Sequence, residues 1–140
     1  GRLGQKTGAG WYKYEVGKRT PAADHEIEEM IIETSSNLGI KRREISDQEI
    51  IERCLYPLIN EGAKILEEGI AIRSSDIDVV WLYGYGFPRH HGGPMFWADL
   101  IGTGTIYDKM VEFETEHGNL MKPAGLLKEL AKEGKGFGDI

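Results

Sequence analysis

Thirteen of the nineteen glycines in this 140-residue chain fall in three short stretches: four within residues 1–10, six within 84–104 and three within 134–138. Glycine weakens helices and opens backbone conformations with positive φ, so each cluster marks a break. The stretches between them are poor in glycine, and their apolar residues recur at helical spacing. No run of five or more residues alternates with β-branched side chains as a half-buried strand would. The glycines therefore punctuate an all-α fold of five to seven helices.

The individual helices follow from local signals. Residues 1–20 read as an irregular arm whose Trp11, Tyr12 and Tyr14 need a surface to bury against. A first helix is expected from Pro21 to Asn37, with Ile27, Met30, Ile31, Thr34 and Leu38 on one face and Gly39 as its stop. The second has the clearest start: Ser46 and Glu49 form an S-x-x-E capping box. Its stripe is expected to hold Ile50, Ile51, Cys54, Leu55, Leu58, Ala63 and Ile65, running to Glu68 before Gly69. Pro57 should kink or split it near Tyr56. Cys54 on the stripe is expected to be a buried, inert thiol. A short helix opens at Ser75, with Asp76 and Asp78 facing its positive end. Pro94 starts another that ends at Gly102, Thr105 caps one reaching Glu116, and Pro123 opens the last.

Composition removes several functional classes. The net charge of −6 gives no basic footprint for nucleic acid. A single cysteine forms no intramolecular disulfide. No apolar run is long enough to span a membrane and no signal-peptide pattern is present, so an intracellular, soluble protein is expected. Residues 24–68 carry twelve acidic and five basic side chains, which reads as a solvated helical face.

Motifs for catalysis fail one by one. Gln5 precedes Lys6-Thr7 where a phosphate-binding loop needs glycine. Gly8-Ala9-Gly10 and Gly84-Tyr85-Gly86 lack the third glycine of a dinucleotide fingerprint and follow no strand. The histidines (His25, His90, His91, His117) show no metal-ligand spacing, and the side chains of adjacent His90 and His91 are expected to diverge. Glu67-Glu68 and Asp76/Asp78 read as helix-end and helix-start residues. The segment Gly84 to Pro94 is the most unusual; it either lines a pocket or packs under a neighbouring domain, or it is a tight helix–helix connection.

There is one internal echo. Lys6-Thr7-Gly8-Ala9-Gly10-Trp11 matches Lys132-Glu133-Gly134-Lys135-Gly136-Phe137 in the form K-x-G-x-G-aromatic, at an offset of about one domain length. The echo and the first residue, glycine instead of methionine, lead us to expect a piece of a longer chain: residues 1–19 as the tail of a preceding helical copy with its linker, and 20–140 as the next copy.

Taken in order, Asn60-Glu61-Gly62, Asp76-Ile77-Asp78, Gly86-Phe87-Pro88, Gly92-Gly93-Pro94 and Asp99 with Gly102 resemble the C-terminal helical domain of 3-hydroxyacyl-CoA dehydrogenases. The form is similar to that of the multifunctional fatty-acid oxidation proteins, in which an enoyl-CoA hydratase region precedes the dehydrogenase. The fold implied resembles the 6-phosphogluconate dehydrogenase C-terminal-domain-like fold.

The resemblance implies a parent that oxidises a (3S)-hydroxyacyl-CoA to a 3-ketoacyl-CoA and passes hydride to NAD. Its His–Glu base pair and NAD site lie in a Rossmann domain outside this chain. The family's asparagine near the active site lies in the first copy; here Glu52 stands in its place, so no catalytic, cofactor-binding or metal residue is carried over. The segment itself is expected to be a packing domain, inactive alone, with the preceding copy and the Rossmann domain as partners. Asn60, Glu61, Gly86, Phe87, Pro88, Gly92, Gly93 and Pro94 are the candidate domain-contact or cleft-lining residues. The rival readings are a helical module that forms a homodimer and an acyl-CoA-binding domain, for which Arg73, Arg89 and Lys122 are the available bases. Asp139-Ile140 is not a peroxisomal S-K-L signal, which leads to the expectation of a bacterial, cytoplasmic parent.

Overall fold

The computed structural model describes residues 1–140, all helix, turn and loop, with isolated bridges but no strand. Six α-helices follow in order: α1 His25–Asn37, α2 Asp47–Glu67, α3 Ser74–Val80, α4 Pro94–Ile101, α5 Thr103–His117 and α6 Gly125–Glu133. Short 3-10 turns occupy Gln5–Thr7, Arg89–His91, Gly118–Met121 and Phe137–Asp139, and a π turn at Trp81–Tyr85 extends α3. The chain divides into two compact units, Gly1–Glu44 and Ile45–Ile140.

In the first unit the arm folds back on itself through bridges Gly4–Ala9, Ala9–Lys13 and Lys13–Ala22. Because Ala22 is held there, α1 cannot begin at Pro21 as expected. It starts at His25, where the Asp24 carboxylate accepts from the Glu26 amide and caps the helix. Asp24 is buried and paired with Arg2 and with Lys13, 2.9 Å away. The Lys13 ammonium, with help from Arg2 and against burial, holds the Asp24 carboxyl below its ordinary value. Of the expected α1 stripe only Ile27 is buried; Met30, Ile31 and Leu38 are exposed.

The second unit holds the core. Tyr56, Ile59 and Ala63 of α2 meet Ile77, Met95, Ala98, Ile106, Met110, Phe113, Leu127 and Leu130 from α3 to α6, and Phe137 closes the cluster. The α2 start is the one expected: Ser46 accepts from the Glu49 amide at 3.2 Å. Pro57 does not split the helix, which runs unbroken to Glu67. A proline costs a helix interior about 3 kcal/mol. Burial of Tyr56, Ile59 and Ala63 beside it offsets that, at about 1.5–3 kcal/mol for each large apolar side chain. The expected stripe holds only in its later part: Ala63 is buried and Leu55, Leu58 and Ile65 are half-buried. Ile50, Ile51 and Cys54 are exposed, so the thiol is not the buried one that the periodicity suggested.

α2 and α5 are tied on their outer faces. Arg53 pairs with Glu49 at 2.8 Å and Glu116 at 3.2 Å, and lies over the Phe113 ring. Glu52 accepts from Gln48 and lies 3.7 Å from Lys109. α5 begins at Thr103, two residues before the expected cap, because Thr103 is buried and its hydroxyl donates to the Lys135 carbonyl at 2.7 Å.

Candidate functional site

Three polar side chains are pulled into the second unit, and each holds backbone from a distant part of the chain. Asn60, on the inward face of α2 and 2% exposed, donates from Nδ2 to the Lys122 carbonyl at 2.9 Å. Its Oδ1 accepts from the Ala124 amide at 2.7 Å. Both ends of one amide thus fix the turn that launches α6.

Asp78 does the same for α4. Its oxygens accept from the amides of Met95 (2.7 Å) and Phe96 (3.1 Å), the second and third residues of that helix. These donors have no partner within the helix. Gly93, at the N-cap, has no side chain to offer, so Asp78 caps the helix from outside. Gly93 is required twice over: its φ is +111°, and a Cβ there would overlap the Asp78 carboxylate. Asp78 therefore serves α4, and the expected role at the start of α3 falls to Asp76, paired with Arg73 at 2.8 Å. Burial pushes the Asp78 carboxyl above its ordinary value; the two amides pull it down, and the Asp99 charge adds to the rise.

Asp99, on α4, receives the amides of Phe137 (2.6 Å) and Gly138 (2.9 Å). A Cβ on Gly136 would lie 2.6 Å from the Asp99 carboxyl carbon, so this segment approaches as closely as its glycine allows. With Thr103 on Lys135, the C-terminal turn is held at three backbone atoms.

Of the residues singled out in the sequence, Asn60, Phe87, Gly93 and Pro94 are buried, while Glu61, Gly86 and Pro88 are exposed and Gly92 is half-buried. Gly86 and Gly92 end the π turn and the Arg89–His91 turn with φ of +75° and +74°. His90 and His91 do not diverge: the 3-10 turn sets their rings 4.1 Å apart, and His91 lies 6.0 Å from Trp97. Of the bases considered for a CoA phosphate, Arg73 is paired with Asp76, Arg89 lies over the Tyr83 ring, and Lys122 is exposed. No group of three metal-ligating side chains is assembled, and no helix is long and apolar enough to cross a membrane.

The first unit carries an open groove of about 1120 Å³, lined by Trp11, Tyr12, Tyr14, Ile27, Met30 and Ile31 among others. Trp11 is 72% exposed beside it.

The family profile described as "3-hydroxyacyl-CoA dehydrogenase, C-terminal domain" matches residues 50–137. A peroxisomal bifunctional enzyme of Danio rerio is 45% identical over 137 residues, 96% of this chain and 19% of that protein. A glyoxysomal fatty acid beta-oxidation multifunctional protein of Brassica napus is 37% identical, over 95% of this chain and 19% of that protein. Among solved structures, the dehydrogenase part of multifunctional enzyme 1 from C. elegans aligns with a TM-score of 0.62 and 28% identity, over 91% of this chain and 30% of that one. The chain spans about a fifth of the length of the curated relatives it matches. These relatives are peroxisomal or glyoxysomal by name, which overturns the expectation of a cytoplasmic parent. That expectation presupposed a natural stop at Ile140, and a targeting signal informs only at a true C-terminus.

Proposed function

The chain belongs to the family of 3-hydroxyacyl-CoA dehydrogenase C-terminal domains, and from that premise we propose that it is the second helical domain of an NAD-dependent (3S)-hydroxyacyl-CoA dehydrogenase of fatty-acid β-oxidation. Its parent is a multifunctional enzyme in which hydride transfer to NAD takes place on a Rossmann domain. This segment's task is packing and support. Residues 1–19 end the preceding helical copy, and the next copy follows. The exposed Glu61, Gly86 and Pro88 offer contact points to neighbouring domains.

One observation carries this reading. The polar residues of the family-like motifs spend their hydrogen bonds on the chain's own backbone: Asn60 on the α6 turn, Asp78 on α4 and Asp99 on the C-terminal turn. A general base must be aimed at a substrate proton, whereas the Asp78 and Asp99 carboxylates are aimed at backbone amides of their own chain and Asn60 carries no basic group. Glu52, in the place of the family's asparagine, is engaged with Gln48 and Lys109.

The test is direct. The purified chain, mixed with acetoacetyl-CoA and NADH, is expected to oxidise no NADH and to give no heat of NAD binding by calorimetry. Turnover would place catalytic groups in this segment and overturn the reading.

A further inference from the structure

The two members of the internal echo share a backbone form and differ in burial. Gly134 ends α6 in the left-handed conformation with φ +65°, and Gly8 ends the Gln5–Thr7 turn the same way with φ +76°. Both are followed by x-Gly-aromatic. There the likeness ends. Phe137 is 0% exposed, and its amide and the next one rest on the Asp99 carboxylate. Trp11, its counterpart, is 72% exposed, and neither the Trp11 nor the Tyr12 amide takes part in the chain's backbone hydrogen bonds. A tryptophan and a tyrosine, each with its amide unspent, form a surface prepared for an apolar slot edged by an acceptor.

We propose that the Gly8–Tyr12 segment is the docking tail of the preceding helical copy, clasped by a carboxylate on that copy's counterpart of α4, as Asp99 clasps Phe137 and Gly138. The partner surface is therefore specified: a helix led by a Gly-Pro pair, with an aspartate or glutamate one turn and a half further on, and an apolar slot that takes the Trp11 indole. Its carboxylate accepts from the Trp11 and Tyr12 amides. This rests on the reading that residues 1–19 end a preceding copy, and it adds which atoms meet. The exposed aromatics of the arm then act as a splice that locks the first copy's terminus before the chain enters the second.

The experiment is amide hydrogen exchange on the 140-residue chain and on the longer polypeptide that carries it. The Phe137 and Gly138 amides, which have the same clasp in both, serve as the internal reference for folding. Trp11 and Tyr12 are expected to exchange freely in the short chain and at least about 100-fold more slowly in the longer one. Replacing the upstream carboxylate by alanine should return them to the fast rate while Phe137 and Gly138 stay slow. Trp11→Phe, which restores the aromatic of the echo, should keep the protection. If the upstream sequence holds no Gly-Pro-led helix with a carboxylate, the reading of residues 1–19 falls, and the proposal with it. If it does, but Trp11 and Tyr12 exchange equally fast in both chains or ignore loss of that carboxylate, the proposal alone is overturned.

Discussion

Removing the Asp78 carboxylate should uncouple α3 from α4, and the cost can be worked from the two bonds it makes. Asp78→Ala strips the Met95 amide, which is buried, and the Phe96 amide, which is half-buried and can find water. A buried donor left without a partner costs about 1–3 kcal/mol, and loss of a helix cap typically costs about 1. Against this, the variant is relieved of a carboxylate that burial disfavours, as its upward-shifted pKa records. The two losses sum to about 2–4 kcal/mol, and relief of the buried carboxylate brings the net toward the lower end, about 2 kcal/mol. With a urea slope of about 1–3 kcal/mol per molar, the unfolding midpoint should fall by about 1–2 M. Asp78→Asn keeps one acceptor but turns an NH₂ toward a backbone donor, so it should lose roughly half as much. Its stability should also lose a pH slope. The Asp78 carboxyl is raised in the folded state, so the native chain binds its proton more readily above the ordinary value of 3.8. Its contribution is full below 3.8 and declines as pH rises through the folded pKa; the asparagine variant lacks that decline. Midpoints within about 0.3 M of the parent for both variants would refute the capping argument.

Further tests follow from the other clasps. Gly93→Ala should destabilise by at least about 2–4 kcal/mol in denaturant unfolding, because it combines a backbone strain of about 1–3 kcal/mol with displacement of Asp78. Asn60→Ala leaves the buried Ala124 amide without an acceptor and should cost about 2–3 kcal/mol, read as a lower midpoint with α6 amides exchanging first. In the first unit, the lowered Asp24 pKa contributes stability that is full above 3.8 and is lost as pH falls below it toward the folded value. Lys13→Gln should move the Asp24 carboxyl up toward 3.8 in an NMR titration; no movement would remove Lys13 as the cause.

What could be read from the sequence was what is written within one turn of helix. Ser46 with Glu49, Pro94 at a first helical position and Gly102 at the α4 end are local signals, and the structure places them as expected. The buried face of α2 was legible only in part, at Ala63 and the half-buried Leu55, Leu58 and Ile65. Asn60 and Gly62 interrupt its apolar pattern, while Ile50, Ile51 and Cys54 offer a better pattern on a face that stays exposed. Asn60 is inside because of a turn about sixty residues later, and Gly62 because Met95 presses against it. Likewise, nothing local shows that Asp78 caps α4 or that Asp99 holds Phe137, since 17 and 38 residues separate the partners. The family-like motifs contain Asn60, Asp78 and Asp99 but say nothing of what these side chains hold. The roles of these residues come from tertiary contacts, which one-dimensional periodicity does not record.

The central claim is that these polar residues work on the chain's own backbone and not on substrate. The measurement that tests it most directly is the kcat of the proposed parent dehydrogenase carrying Asp78→Asn, taken well below its melting temperature and normalised to folded protein. The expected result is a lowered melting temperature with kcat per folded molecule and its pH profile unchanged. An unchanged melting temperature with kcat reduced 100-fold or more, on the order of what loss of a general acid or base produces, would contradict it.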